Sequence, residues 1–259
     1  MQLWWAARDG EPCAVAAVLE SPGKTGMLFF CPPQADGVDR EALEDLLRAV
    51  SRKAVDKGLS MIQKLLTDGP HPESDVLRAA GYGRLAELVY MRRDLAEPAA
   101  GRIDPQLTWR RYGQYDLAEL SRLIEATYEE SQDCPELSGV RRVGDTIAGH
   151  KAAGRFSPRS WWIASLGGRA AGCVLVNDSA IPGAAEVVYV GVTKPFRRQG
   201  VGRALLRQSI AHARERRHWE LALAVDSRNI GAIKLYESEG FRSADRRVAY
   251  VMLSGGGAP

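Results

Sequence analysis

Apolar positions change their period several times along the second half of the chain. Residues 186–192 read Glu-Val-Val-Tyr-Val-Gly-Val, a valine-rich run that predicts a strand. Val201, Ala204 and Leu205 form one stripe, with Leu206, Ile210 and Ala213 beside it, which predicts a helix over 200–217. An apolar run at 221–225 predicts a short strand. Residues 229–239 predict a helix stopped by Gly240, a residue suited to the left-handed position that ends helices. Residues 248–253 predict a last strand that closes the same sheet. Upstream, apolar residues at 117, 120, 123, 124 and 128 predict a helix over 116–129, and 146–153 predicts another.

The pattern recurs. Trp4-Trp5, a charged turn at 8–11 and an apolar run at 13–19 read as strand, turn, strand. Trp161-Trp162, Gly167-Gly168-Arg169 and the run 171–176 read the same way, with Trp162 lying 157 residues after Trp5. Leu77 to Tyr82 resembles Tyr236 to Phe241, with Gly240 lying 159 residues after Gly81. Tyr90 and Tyr250 extend the match at a spacing of 160. Three matches in one order at nearly constant offset imply a duplicated mixed α/β unit. The first copy is expected over 1–95, a breaker-containing linker over 96–102, the second copy over 103–253 and a disordered tail over 254–259. The two front helices belong to the second copy alone.

Composition narrows the possibilities. The 259 residues are 45% hydrophobic and 26% charged, which excludes long disorder, a collagen and a membrane bundle. Lys plus Arg is 35 and Asp plus Glu is 32, so the net charge of +3 argues against a dedicated nucleic-acid binder. Four cysteines lie far apart with no paired histidines, so no metal site is expected and the thiols are expected to be reduced. No apolar run reaches the roughly 20 residues of a membrane span, and the start lacks a signal-peptide pattern; a cytoplasmic protein with no membrane partner is expected.

The stretch Val190-Gly191-Val192-Thr193-Lys194-Pro195-Phe196-Arg197-Arg198-Gln199-Gly200-Val201-Gly202 carries the most chemistry. It joins a predicted strand to a helix N-terminus, where unpaired N–H groups and the helix dipole favour an anion. Gly200 and Gly202 let a pyrophosphate approach the backbone, and Arg197, Arg198 and Arg203 add positive charge. The third glycine of a dinucleotide fingerprint is missing, since Leu205 stands there, and no G-K-[ST] follows as in a P-loop.

This loop resembles the acyl-CoA loop of the GNAT superfamily of N-acetyltransferases: Gln or Arg, two residues, Gly, one residue, Gly or Ala. The later helix resembles that family too, through Asn229, Ala232, Leu235-Tyr236 and Gly240-Phe241. The resemblance implies two GNAT-like units, each a mainly antiparallel sheet with a V-shaped splay flanked by helices. It implies acetyl transfer from acetyl-CoA by direct attack of a primary amine on a small molecule or peptide. Acyl-CoA contacts would come from the backbone of Val190 and Val192, the loop Arg197-Arg198-Gln199-Gly200-Val201-Gly202, Arg203, Asn229 and Tyr236. Glu186 would be the base and Tyr236 the acid that protonates the leaving thiolate. Strict alternation would put Glu186, Val188, Val190 and Val192 on one face. Tyr128, Glu129, Asp133 and Glu136 in the acidic stretch 127–137 are the candidates for attracting the acceptor amine. A non-catalytic acyl-CoA-binding regulator is the alternative. The residues leave oligomeric state open.

The first copy lacks these residues. Asp39 stands in place of Gly202, Leu77 in place of Tyr236, Pro70 near the Asn229 position, and Gly26 or Met27 where Glu186 would be. It is expected to be a degenerate half that supports the second.

Overall fold

The computed structural model describes residues 2–97, 101 and 106–255. Parts of the expected linker (98–100 and 102) and of the expected tail (256–259) therefore lie outside the described residues. The chain divides into two compact units. One runs up to Leu88 and takes in 139–141 and everything from Arg246 on; the other comprises Val89–Ser138 and Arg142–Asp245.

Each copy of the repeat has the same order of elements. The first is β1 (Gln2–Arg8), β2 (Glu11–Ser21), β3 (Thr25–Phe30), α1 (Arg40–Asp56), β4 (Met61–Thr67), α2 (Glu73–Ala79) and β5 (Gly83–Asp94). The second is β7 (Trp161–Leu166), β8 (Arg169–Asp178), β9 (Ala184–Val192), α5 (Val201–Glu215), β10 (Glu220–Asp226), α6 (Ile230–Ser238) and β11 (Arg242–Leu253). Before it come β6 (Leu107–Arg111), α3 (Leu117–Tyr128) and α4 (Val143–Ala152). Asp116 starts α3 by accepting a hydrogen bond from the Glu119 N–H at 2.6 Å.

The last strand of the chain is not where the sequence reading put it. In the first unit the strand order is β1-β2-β3-β4-β11, and β11 lies antiparallel to β4 with Val248 opposite Leu66 and Leu253 opposite Met61. Val248 and Tyr250 sit in that unit's core with Leu43, Leu47 and Val50 of α1. In the second unit Val89–Asp94 of β5 takes the corresponding place, and the order is β5-β10-β9-β8-β7-β6. An apolar run such as 248–253 predicts that a strand exists. Nothing in β5 or β11 specifies which strand each will pair with, so the exchange is invisible in the pattern.

The second unit buries a core on each face of its sheet. Trp162, Ala164, Val174 and Val176 meet α5 through Leu205, Leu206 and Ile210. Trp161, Ile163, Cys173 and Leu175 meet α3 and α4 through Leu120, Leu123, Ile124 and Ile147. This is period-two alternation on β7 and β8, and each fully buried aliphatic side chain contributes about 1.5–3 kcal/mol.

β9 breaks the alternation. Its pairing with β8 jumps from Val187 opposite Val176 to Tyr189 opposite Leu175, leaving Val188 as the extra residue of a bulge. Ala185 and Val187 lie on the α5 face before it, and Val190 and Val192 lie on that same face after it. Val188 and Tyr189 both lie on the α3 face. The expectation that Glu186, Val188, Val190 and Val192 share one face is thereby corrected: the inserted residue reverses the parity. β9 also parts from β10. Their parallel pairing covers only Ala184–Val187 against Glu220–Leu223, although β9 continues to Val192 and β10 to Asp226. In the first unit β3 and β4 part in the same way after Met27 and Gln63.

Candidate active site

A cavity of about 490 Å³ opens in the second unit where β9 and β10 separate. Val187 to Val192 form one wall, with Leu223 and Ala224 of β10 beside them. Thr127, Tyr128 and residues 130–133 close it from the end of α3, and Asn229, Ala232, Leu235 and Tyr236 close it from α6. The turn into α5 supplies Arg197, Arg198 and Gly202.

That turn is built to leave a helix end open. Gly200 precedes α5 at φ +83°, a conformation that suits glycine, and no side chain caps the helix. The first helical N–H groups and the positive end of the dipole are therefore available to an anion. The arginines divide their work. Arg197 donates to the carbonyl oxygens of Val192 at 3.1 Å, Thr127 at 3.0 Å and Glu129 at 2.6 Å, tying the loop to the end of α3. Arg203 meets Glu239 at 3.1 Å, and the Gln199 amide donates to the Pro195 carbonyl at 2.7 Å. Arg198 lines the cavity at φ +62° with no side-chain partner among the described residues. Val201 is buried in the core, and the Asn229 side chain accepts from the Ala232 N–H at 3.1 Å while lining the cavity.

The first unit shows the contrast. Asp39, not glycine, precedes α1, and its carboxylate accepts from the Ala42 N–H at 3.1 Å. By its place at the helix start Asp39 corresponds to Gly200, two residues earlier than the sequence comparison placed it. The anion position there is filled by the chain's own carboxylate, which is also paired with Arg8. α2 begins at Pro72 with no side-chain cap, so nothing in it matches Asn229.

Glu186 sits half-buried on β9 just before the bulge, outside the cavity wall. Burial alone raises its carboxyl above the usual range. Tyr236 is 7% exposed and lines the cavity. Burial, and then the charge of Asp133, push its phenol well above the ordinary tyrosine value.

The acidic stretch is largely engaged in ion pairs. Lys194 binds Glu129 at 3.1 Å and Glu130 at 2.6 Å. Arg228 binds Glu136 at 2.9 Å, and these cations hold Glu130 and Glu136 below the usual carboxylate range. Asp133 differs. One of its oxygens accepts from the Asp226 N–H at 2.9 Å, it opens to water through the cavity, and the surrounding protein pushes its carboxyl upward. Asp226 is fully buried; its carboxylate binds Arg228 at 2.7 Å and accepts from the Cys134 N–H at 3.2 Å, fastening the stretch to the turn before α6.

Sequence reasoning missed Thr127 and Tyr189, which meet in the cavity wall through their hydroxyls. With strict alternation Tyr189 would face α5; the bulge turns it to α3. Among the described residues no cluster of three or more His, Cys, Asp or Glu is arranged to hold a metal, and no helix is long and apolar enough to cross a membrane. The four cysteines are free.

Residues 121–241 match the model of the acetyltransferase (GNAT) family. The chain is 27% identical over 262 aligned residues to a mycothiol acetyltransferase of Nocardia farcinica, spanning 93% of this chain and 84% of the relative. A mycothiol acetyltransferase of Clavibacter sepedonicus is 28% identical over 255, spanning 93% and 77%. Among solved structures, a GCN5-related N-acetyltransferase from Sphaerobacter thermophilus superposes with a TM-score of 0.62 at 21% identity, over 96% of this chain and 79% of that one. A tandem GNAT protein from the clavulanic acid biosynthesis pathway gives 0.57 at 15% identity, over 98% and 82%. At those identities the two structures speak for the fold. The matched stretch from α3 to the foot of β11 contains every residue of the cavity wall, so the part of the chain that builds the cavity is the part similar to the acetyltransferase (GNAT) family, and the fold is GNAT-like.

Proposed function

We propose that the second unit transfers the acetyl group of acetyl-CoA to a primary amine of a small molecule or peptide. The observation that carries this is the separation of β9 from β10 after Val187, which opens a cavity that runs to the uncapped start of α5. Acetyl-CoA supplies an acyl thioester. The backbone of Val190 and Val192 holds its amide-rich arm, and the start of α5 with Gly200, Gly202 and Arg198 holds its pyrophosphate. Glu186 accepts the proton of the attacking amine through water, since it stands outside the cavity wall. As the carbon–nitrogen bond forms and the carbon–sulfur bond breaks, Tyr236 gives its proton to the sulfur. Its raised pKa keeps it in the proton-carrying form near neutrality. Asp133 draws the cationic amine to the cavity. The names of the two relatives make a mycothiol-type acceptor the first compound to assay.

The test is calorimetry with CoA followed by a free-thiol assay with acetyl-CoA and a panel of amines that includes this acceptor. CoA binding in the micromolar range and thiol release with at least one amine are expected. No heat with CoA overturns the reading; heat without thiol release leaves a CoA-binding regulator. Tyr236→Phe is expected to lower turnover about a hundredfold with CoA affinity unchanged.

A further inference from the structure

We propose that the Tyr189 phenol, with its proton direction fixed by Thr127, is a hydrogen-bond-accepting seat for the ammonium group of the acceptor. This rests on the acetyl-transfer reading and deepens it. The argument is one of hydrogen-bond polarity. Thr127 Oγ1 donates to the Ile124 carbonyl at 2.6 Å, which uses its single hydroxyl proton. In the hydroxyl pair of Thr127 and Tyr189, Tyr189 must therefore be the donor. Its oxygen then has lone pairs left and no proton to offer. Thr127 and Tyr189 both line the cavity, and the acceptor seat is the phenol oxygen within that lining. An ammonium or other N–H donor fits that surface; an anion or carbonyl oxygen does not.

The backbone is shaped for this pair. A Cβ on Gly191 would lie 2.7 Å from Thr127 Oγ1 and 2.9 Å from the Tyr189 hydroxyl, so any larger residue would push them apart. The bulge at Val188 turns Tyr189 toward α3, the face that Glu186 also takes before it. Tyr128 meets the Tyr189 ring edge-on at 6.3 Å, and the His150 ring lies 5.2 Å away, so the phenol is held in place from two sides.

The test uses n-propylammonium, with 1-propanol as its uncharged counterpart, followed by ligand-detected NMR with and without CoA. The unmodified protein is expected to bind the ammonium, a charged donor, at least tenfold more tightly than the alcohol, whose single O–H is a neutral and weaker donor. Tyr189→Phe and Thr127→Val are each expected to weaken ammonium binding about tenfold, the first by removing the acceptor and the second by freeing the phenol proton to point into the cavity. Thr127→Ser keeps the hydroxyl chain and is expected to bind like the unmodified protein, which separates polarity from packing. Calorimetry is expected to give one CoA affinity for all four proteins. Equal ammonium binding in Tyr189→Phe or Thr127→Val, equal binding of the alcohol, or no ammonium binding by the unmodified protein overturns the seat. Absence of heat with CoA overturns acetyl-CoA use instead, and the titrations without CoA still decide the seat.

Discussion

Glu186 combines two properties that pull in opposite directions. Burial raises its carboxyl pKa, which strengthens it as a base and makes its ionised form unwelcome in the fold. A carboxyl raised on folding contributes stability below its unfolded pKa of about 4.3 and loses it as pH climbs through the raised folded value. Near neutrality the charge is a strain on the fold. Glu186→Gln is expected to raise the melting temperature at pH 7 and to have little effect on it below pH 4. The same change is expected to cut turnover about a hundredfold. With Glu186 as the proposed base, kcat/KM of the unmodified protein is expected to fall as pH drops through the raised value, and in the variant this acid limb is expected to disappear. Thermal melts and pH–rate profiles on the two proteins check both halves. Glu186 could be picked out of the sequence by its place before the loop. Its relation to the rest of β9 could not, because one extra residue in the strand changes which side chains are neighbours.

At the scale of elements, α5 and α1 start differently, and that difference was largely legible. A glycine followed by an apolar helical stripe reads as an open anion end, while an aspartate read in place of Gly202 marks an end that repels a pyrophosphate; that Asp39 stands at the place of Gly200 and caps α1 itself is shown only by the fold. The contacts of individual arginines were not legible: Arg197 and Arg203 are spent on carbonyls and on Glu239, which only the fold brings near. The contrast predicts that Gly200→Asp, imitating Asp39, weakens CoA binding at least tenfold by placing a carboxylate at the helix start. A non-glycine residue at φ +83° also costs about 1–2 kcal/mol of stability. Calorimetry and a melting curve separate the two effects; unchanged CoA affinity would remove the helix start from the binding site.

Over the whole molecule, the repeat was visible in the paired tryptophans and the helix-ending glycines, and so was the order of elements. The exchange of final strands was not, since β5 and β11 both carry apolar runs that fit a buried strand and the choice of neighbour is made by the assembled sheet. It follows that a change near residue 250 is felt in the first unit. Val248 is 7% exposed in the core that α1 covers. Val248→Asp buries a charge there and is expected to cost about 3 kcal/mol or more. Hydrogen exchange read by mass spectrometry is expected to show lost protection in Arg40–Asp56, almost two hundred residues upstream in the chain. Protection that stays unchanged would mean α1 holds its place without β11.

The position of β11 also bears on how the protein is made. A ribosome adds about 5–20 residues each second, so roughly 10–30 s pass between the emergence of Leu88 and that of Leu253. Throughout that interval the edge of β4 lacks the strand that pairs with it in the finished fold. The part of this unit that is translated first is thus the part that waits, and a factor that shields strand edges on the ribosome would act on it until β11 has emerged.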